Sequence, residues 1–155
     1  MEKSDSVVII PTYNEKENIE SIIRAVRGLE AHDFEILIID DGSPDGTADI
    51  VKRLMAGEFK DKLHLVERQG KLGLGTAYIA GFKWALEHGY DYIFEMDADF
   101  SHDPNDLPRL YNACAKDGYD VAIGSRYVSG VNVVNWPMGR VLMSYYASKY
   151  VRIVT

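Results

Sequence analysis

Tyr92-Ile93-Phe94-Glu95-Met96-Asp97-Ala98-Asp99 decides the fold, because an apolar run of strand length passes directly into a pair of carboxylates. Three other strand-like runs end in the same way, in polar or acidic residues at 11–15, 40–42 and 124–126. In an open parallel sheet, ligands bind in the crevice outside the carboxyl ends of the strands. The sequence therefore predicts one carboxylate-rich ligand site, assembled from residues that are far apart along the chain.

The rest of the chain alternates short apolar runs with helical patterns. The runs are typical of five strands, at residues 7–10, 35–39, 63–66, 92–96 and 121–123. Apolar residues recur at helical spacing between them, and a last helical pattern extends from Gly139 towards Thr155. This alternation predicts an α/β fold of three layers, with a mostly parallel sheet between two layers of helices.

Three helix starts carry capping signals. Asn14 is predicted to cap the first helix, with Glu17 in the capping-box position. Thr47 is predicted to cap the second helix, and Asp103 to cap the helix after the fourth strand. The last helical pattern has no cap, glycine or proline after Ile153, so the chain is expected to be truncated at its carboxyl end.

Length and composition predict one domain, residues 1–155, with the 46% hydrophobic and 26% charged residues of a soluble globular protein. A net charge of −7 argues against a nucleic-acid partner. All 24 acidic residues lie at or before Asp120, so the final segment has only basic charges; it either meets an anionic partner or is simply solvated. Because Cys114 is the only cysteine and no apolar run is long enough to cross a bilayer, the protein is expected to be cytoplasmic, either free or peripheral on the cytoplasmic face of a membrane.

Asp97-Ala98-Asp99 is the sharpest motif. Two carboxylates at this spacing after a buried strand are able to face one cation, and Mg²⁺ and Mn²⁺ prefer oxygen ligands. Mg²⁺ is commonly held by one or two carboxylates together with substrate phosphates. The alternative is a pair of solvated loop aspartates. The acidic residues at other strand ends favour a metal-assisted site that handles a diphosphate.

The other strand ends supply further candidate ligand-binding side chains. Tyr13 is suited to stack on a nucleobase, and Glu15 to accept a hydrogen bond from the base or the ribose. After the second strand, Asp40 or Asp41 is expected to reach the ligand. After the fifth strand, the planar guanidinium of Arg126 is suited to bind phosphate. Each stretch also has a simpler interpretation, respectively a capped helix start, a turn and an ion pair.

Gly70-Lys71-Leu72-Gly73-Leu74-Gly75 is a weak match to a phosphate-binding loop. Its glycines fit neither the P-loop nor the dinucleotide-binding spacing, and it follows the third strand rather than the first. We expect this segment to position the next helix flexibly, with Lys71 as a phosphate contact. Tyrosines on helical stripes, such as Tyr78, are expected in the core.

Together these blocks resemble the family 2 glycosyltransferases, which have the GT-A fold, a Rossmann-like fold that binds nucleotide sugars. The blocks are Val8-Ile9-Ile10-Pro11-Thr12-Tyr13-Asn14-Glu15, Asp40-Asp41-Gly42-Ser43, Asp97-Ala98-Asp99 and Gly124-Ser125-Arg126-Tyr127. Two further stretches, Ser43-Pro44-Asp45-Gly46-Thr47 and Lys71-Leu72-Gly73-Leu74-Gly75-Thr76-Ala77-Tyr78, are similar to the dolichyl-phosphate or polyprenyl-phosphate mannosyltransferase branch. The resemblance covers about residues 6–130.

The resemblance implies a role for each candidate residue. The nucleoside pocket would be formed by Pro11, Tyr13, Glu15, Ile39 and Asp41. Asp97, Ala98 and Asp99 would bind the metal and the diphosphate, and Arg126 would contact the donor or acceptor phosphate. Some relatives carry a metal-ligating glutamine where this chain has Ser101, a shorter and weaker ligand. Relatives also continue into an acceptor-side segment that is absent from these 155 residues.

The activity that the resemblance implies is metal-dependent, inverting transfer of mannose from GDP-mannose to dolichyl or polyprenyl phosphate. Mg²⁺ or Mn²⁺ would be the cofactor, Asp97, Asp99 and Arg126 the catalytic residues, and a membrane surface a further partner. Two alternatives remain open. One is a related family 2 enzyme that uses a UDP-sugar such as UDP-glucose for polyprenyl-phosphate or polysaccharide synthesis. The other is a phospho-acceptor signalling domain with an acidic Mg²⁺ pocket. In such domains the acid pair normally ends the first strand, whereas in this chain Asp40-Asp41 ends the second strand.

Overall fold

The computed structural model describes residues 3–125 and 138–154. The chain divides into two compact units, Met1–Ala122 and Ile123–Thr155. In the described part of the first unit the elements are β1 Ser6–Thr12, α1 Ile19–Arg27, β2 Glu35–Asp40, α2 Thr47–Ala56, β3 Leu63–Glu67, α3 Leu74–Glu87, β4 Tyr92–Glu95, a 3-10 helix Pro104–Asp106 and α4 Leu107–Ala115. In the second unit α5 spans Met138–Val154. That the whole chain forms a single domain stays a prediction.

The four strands form one parallel sheet in the order β3-β2-β1-β4. β1 therefore lies between β2 and β4, with Val7 opposite both Glu35 and Ile93. Because all strands are parallel, their carboxyl ends lie at the same edge of the sheet. The predicted α/β class and parallel sheet are confirmed.

Alternate residues of the central strands face two separate cores. On one face, Val8 and Ile10 of β1 pack with apolar residues of α1, α2 and α4. On the other face, Val7 and Ile9 pack with residues of α3. All four of these side chains are fully buried, and each contributes roughly 1.5–3 kcal/mol relative to an exposed position. Helices thus cover both faces of the sheet, and the three-layer prediction is confirmed.

Gly81 sets how closely α3 approaches β1. A Cβ atom at Gly81 would lie only 2.6 Å from Cγ2 of Ile9, and real Cβ atoms do not approach other heavy atoms so closely. Glycine normally weakens a helix interior by about 1 kcal/mol relative to alanine. Here it is required because it lets the helix backbone rest directly on the central strand.

The predicted fifth strand at residues 121–123 does not form. This segment has no regular secondary structure and is not part of the sheet. Val121 and Ile123 are 72% and 83% exposed, so neither residue is held by a core. A strand is stabilised by a hydrogen-bonded neighbour and cross-strand packing, and three apolar residues are at the short limit of strand length.

Two of the three predicted helix caps are wrong, and one is confirmed. Asn14 has a positive φ of 62° and its N–H donates to Ser43 Oγ, while α1 begins at Ile19. Thr47 is the first residue of α2, and the carboxylate of Asp45 accepts hydrogen bonds from its N–H and hydroxyl. Asp103 does cap its helix, because its side chain accepts from the N–H of Asn105.

α5 is a helix of 17 residues in the second unit. Several large apolar or aromatic side chains on it are exposed, among them Leu142, Met143, Tyr146 and Tyr150. Among the helices of the described residues, none combines the length and the hydropathy that crossing a membrane requires.

Candidate active site

The carboxyl ends of β1, β2 and β4 and the loop before α3 surround a cavity of about 280 Å³. Its lining residues are Pro11, Thr12, Tyr13, Glu15, Asp41, Lys71, Gly73, Leu74, Ala77, Asp97, Ala98 and Asp99. The predicted site residues from three strand ends and the glycine loop are therefore brought together. This is the crevice where ligands of open parallel sheets bind.

Two of the predicted residues that the structure describes, Ile39 and Ser101, do not line this cavity. Ile39 is fully buried and packs in the core beneath α3 with Leu37 and Ala77. Ser101 is exposed and lies beside the cavity, next to Asp97 and Asp99. Arg126 lies outside the described residues, so its predicted phosphate contact stays a prediction.

Asp97 is held by hydrogen bonds from two elements. The hydroxyl of Tyr78, on α3, donates to Oδ1 at 3.2 Å. The hydroxyl of Ser101 donates to Oδ2 at the longer distance of 3.4 Å. The backbone N–H of Asp97 donates to Nδ1 of His102, whose Nε2 lies 3.8 Å from Oδ2. The carboxylate is half-exposed and directed by these neighbours, so it remains open to a ligand from the cavity.

Two pKa shifts define the charge state next to the cavity. Burial alone would raise the pKa of Asp99, but hydrogen bonds from the backbone N–H and hydroxyl of Ser101 outweigh it and lower this pKa below its usual value. Burial, reinforced by the neighbouring Asp97 carboxylate, raises the pKa of Tyr78 well above its usual value of 10. At neutral pH, Asp99 is therefore an anion and Tyr78 a protonated hydrogen-bond donor.

The donor set at Asp97 and Asp99 fits a hard divalent cation. It offers carboxylate oxygens and a nearby hydroxyl, the ligand type that Mg²⁺ and Mn²⁺ prefer. Among the described residues, no group of three or more His, Cys, Asp or Glu side chains is arranged to hold a metal. A cation here would therefore need further oxygen ligands from substrate phosphates or water, as is usual for Mg²⁺.

Asp40 and Asp41 are adjacent but have different partners. Asp40 is buried and accepts hydrogen bonds from the hydroxyls of Thr12 and Ser43, so it fastens the β2–α2 turn to the end of β1. Asp41 lines the cavity, yet both of its oxygens already have protein partners. Oδ1 is paired with Arg68, and Oδ2 accepts from the N–H of Leu72.

Arg68 is a residue of this site that the sequence analysis did not single out. Its Nε and Nη2 lie 2.6 and 2.5 Å from Asp41 Oδ1, and its other donors reach Thr76 Oγ1 and the carbonyl of Gly73. One buried guanidinium thus joins the end of β2 to the loop that carries Lys71. Arg68 directly follows β3, so applying the strand-end rule to that strand would have found it.

Tyr13 and Lys71 face each other across the cavity mouth. The Lys71 ammonium lies 4.6 Å from the centre of the Tyr13 ring, a distance typical of a cation–π contact. Tyr13 is 36% exposed, so its ring is accessible to a planar ligand. Glu15 lies behind it, and its carboxylate accepts a hydrogen bond from the Asn18 amide.

Comparison with known proteins assigns the chain to a family. The model of glycosyl transferase family 2 matches residues 7–153. The chain belongs to this family. The resemblance drawn from the strand-end motifs is thereby confirmed.

Three similar proteins have names that specify a sugar and a lipid. Polyprenol monophosphomannose synthase of Mycolicibacterium smegmatis is 47% identical over 96% of this chain and 55% of its own length. Undecaprenyl-phosphate mannosyltransferase of Micrococcus luteus is 45% identical over 96% of this chain and 59% of its own length. Dolichol-phosphate mannosyltransferase of Pyrococcus furiosus is 43% identical over 88% of this chain and 37% of its own length. The chain thus spans about half the length of these relatives, or less.

Two solved structures have a similar fold. TarS of S. aureus, in complex with UDP-GlcNAc, aligns with 61% of this chain and 26% of its own at a TM-score of 0.50 and 26% identity. Glucosyl-3-phosphoglycerate synthase of Mycobacterium tuberculosis aligns with 73% of this chain and 40% of its own at a TM-score of 0.53 and 24% identity. The fold is that of the GT-A glycosyltransferases.

Proposed function

We propose that this chain carries the donor site of a metal-dependent, inverting mannosyltransferase, which transfers mannose from GDP-mannose to a polyprenyl phosphate such as dolichyl phosphate. The observation that carries the proposal is the meeting of Tyr13, Lys71, Asp97 and Asp99 around one cavity. The names of the relatives at 43–47% identity support mannose as the sugar and a polyprenyl phosphate as the acceptor.

The nucleoside would lie against Tyr13 at the carboxyl end of β1. A base that stacks on the exposed ring displaces the ammonium of Lys71, which is then free to approach the diphosphate as a point charge. Glu15 lines the same cavity and would accept a hydrogen bond from the base or ribose. Asp41 forms part of the wall, with Arg68 already bonded to its carboxylate.

Asp97 and Asp99, with the Ser101 hydroxyl beside them, would hold Mg²⁺ or Mn²⁺. A divalent cation bound there would neutralise the negative charge that develops on the leaving diphosphate. The pKa of Asp99 is lowered, so this carboxylate is already ionised at neutral pH and needs no proton loss to bind a cation. We include Arg126 as a contact of the donor or acceptor phosphate.

An acceptor phosphate needs little help from a general base. A phosphate monoester has a second pKa near 6, so it presents an anionic oxygen at neutral pH. In-line attack on the anomeric carbon then inverts its configuration. The protein's part is to position the two substrates and to stabilise charge.

α5 supports a membrane-associated role at the cytoplasmic face. It has exposed aromatic side chains such as Tyr145 and Tyr146, and its charged residues are all basic. Aromatic and basic side chains together favour the interface of an anionic membrane. A polyprenyl phosphate acceptor would be embedded in such a surface.

A UDP-sugar donor is the second candidate, favoured by the TarS structure with UDP-GlcNAc and a similar fold. The two donors differ in the base that would stack on Tyr13. Both donors carry a diphosphate that would meet the cation at Asp97 and Asp99, so metal dependence would be the same for both.

Calorimetric titration of the 155-residue chain with GDP-mannose and, in parallel, with UDP-glucose tests the proposal. Each titration is made with and without Mn²⁺ on wild type, Asp99→Asn and Asp106→Asn, the last being an exposed aspartate outside the cavity that pairs with Arg109. We expect GDP-mannose to bind more tightly with Mn²⁺ than without it, and we expect Asp99→Asn to remove this gain and Asp106→Asn to retain it. Preference for UDP-glucose would transfer the proposal to the second candidate. Equal binding with and without Mn²⁺ would refute the metal-dependent mechanism.

A further inference from the structure

The hydroxyl of Tyr78 makes the shortest side-chain hydrogen bond to the Asp97 carboxylate among the described residues. Its distance to Oδ1 is 3.2 Å, compared with 3.4 Å for the Ser101 hydroxyl and 3.8 Å for His102 Nε2 at Oδ2. Ser101 and His102 are exposed residues of the loop after β4, whereas Tyr78 is half-buried on α3. Of these three side chains, Tyr78 is the one that approaches the carboxylate from a packed helix.

The packing of α3 determines where this hydroxyl lies. Ala77, the preceding residue, is 1% exposed and packs against the sheet. One turn later, Gly81 brings the helix backbone into contact with Ile9 of β1. The Tyr78 ring also stacks near Phe82, with 6.5 Å between ring centres. Since these contacts restrain the ring, the hydroxyl is presented to Asp97 from a rigid support.

A carboxylate that binds a cation gains affinity when an outer hydrogen bond restricts its rotation. Removal of such outer partners typically reduces metal affinity by about 10–100-fold. Tyr78 is suited to this role because its hydroxyl is a donor that neither adds charge nor competes for the cation. Neither the position of Tyr78 on a helical stripe nor the strand-end rule predicts this role from the sequence.

We propose that Tyr78 is a positioning residue for the divalent cation: by donating to Oδ1 of Asp97, it fixes the orientation in which this carboxylate meets the metal and the diphosphate. The inference rests on the proposed function, because it requires a cation at Asp97 and Asp99. It assigns to α3 a part in metal binding that is separate from the shape of the nucleoside pocket.

The test is Tyr78→Phe, which removes one oxygen atom and keeps the ring. Tyr111→Phe is a matched control, since the Tyr111 hydroxyl also donates to a carboxylate, that of Asp5, away from the cavity. Mn²⁺ affinity is measured by electron paramagnetic resonance in the presence of GDP, and GDP affinity is measured by calorimetry without metal. Thermal melts report whether either variant disturbs the fold.

We expect Tyr78→Phe to weaken Mn²⁺ binding at least tenfold and to leave metal-free GDP binding unchanged. Its loss of Mn²⁺ affinity should be larger than any loss caused by Tyr111→Phe. An unchanged Mn²⁺ affinity in Tyr78→Phe would overturn the inference while leaving the proposed function intact. Equal losses of metal-free GDP binding and Mn²⁺ binding would assign Tyr78 a general structural role instead. Failure of wild type with GDP to bind Mn²⁺ would reject both the metal-dependent function and this inference.

Discussion

Replacing Arg68 by methionine is the most informative single change around the proposed donor pocket. Methionine keeps an unbranched apolar stem, but Asp41 loses its only cationic partner among the described contacts. The two side chains are 11% and 8% exposed, so the remaining carboxylate is poorly hydrated. From the described part of the chain, this carboxylate keeps only the hydrogen bond from the N–H of Leu72.

The expected cost follows from this burial. Breaking a buried ion pair by removing one partner typically costs about 3–5 kcal/mol. Asp41 lines an open cavity from which water can reach it, so we expect the lower end, about 3 kcal/mol. At about 2–4 °C per kcal/mol for a chain of this size, the melting temperature should fall by roughly 6–12 °C.

Urea unfolding followed by tryptophan fluorescence measures this loss. Arg68→Met combined with Asp41→Asn should recover at least half of it, because no buried charge is then left unpaired. Arg53→Met is the control, since Arg53 forms an exposed pair with Glu20 and its loss should leave the midpoint nearly unchanged. A single Arg68→Met variant that unfolds within 1 kcal/mol of wild type, or a double variant with no recovery, would refute this account of the pair.

Three further predictions concern other parts of the chain. Gly81→Ala should lower the free energy of unfolding by about 1–3 kcal/mol because the new methyl group clashes with Ile9, although alanine has the better helix propensity. Urea melts should show a smaller loss when Gly81→Ala is made in an Ile9→Ala background, and an unchanged loss in that background would contradict the clash. Burial alone would raise the pKa of Glu35, but hydrogen bonds from Tyr90 and three other donors outweigh it and lower this pKa below its ordinary value of 4.5. Glu35 therefore stabilises the fold above about pH 4.5, and this contribution is lost as the pH falls through the folded-state pKa. In urea melts below pH 4.5, wild type should lose more stability than Glu35→Gln, and parallel plots of stability against pH would show that Glu35 is not responsible. In a flotation assay, anionic vesicles should retain the chain through α5 more than neutral vesicles do, and more than they retain Lys149→Glu; equal retention by both vesicle types would rule out the electrostatic contribution.

Most of the sheet and much of the site follow from local pattern. The runs that become β1 and β2 are buried on both faces, so they appear in the sequence as continuous β-branched segments. The rule that ligands bind beyond strand ends then places Tyr13, Asp41 and Asp97 together, and the cavity confirms their proximity.

The missed features depend on contacts between distant segments. Asn14 is a residue type that often caps helices, but its backbone N–H donates to the hydroxyl of Ser43, a residue of the β2–α2 turn. Residues 121–123 have the composition of a strand but no pairing partner in the described sheet. Tyr78 has the spacing of a core residue, and only the crossing of α3 over β1 brings its hydroxyl to Asp97. A local pattern does not encode which distant backbone or carboxylate a side chain will meet.

The strand order has a consequence for how the proposed donor site forms during folding. β1 can pair with β2 as soon as one short helical connection has formed, but its other edge waits for β4, which follows two more helices and β3. Pairings between segments so far apart along the chain form slowly, and an unpaired edge is prone to associate with other chains meanwhile. Asp97 reaches Tyr13 only when this late pairing is complete. If the proposed donor binds only the sheet in which β4 has paired, it would stabilise that state and leave fewer chains with the edge of β1 unpaired.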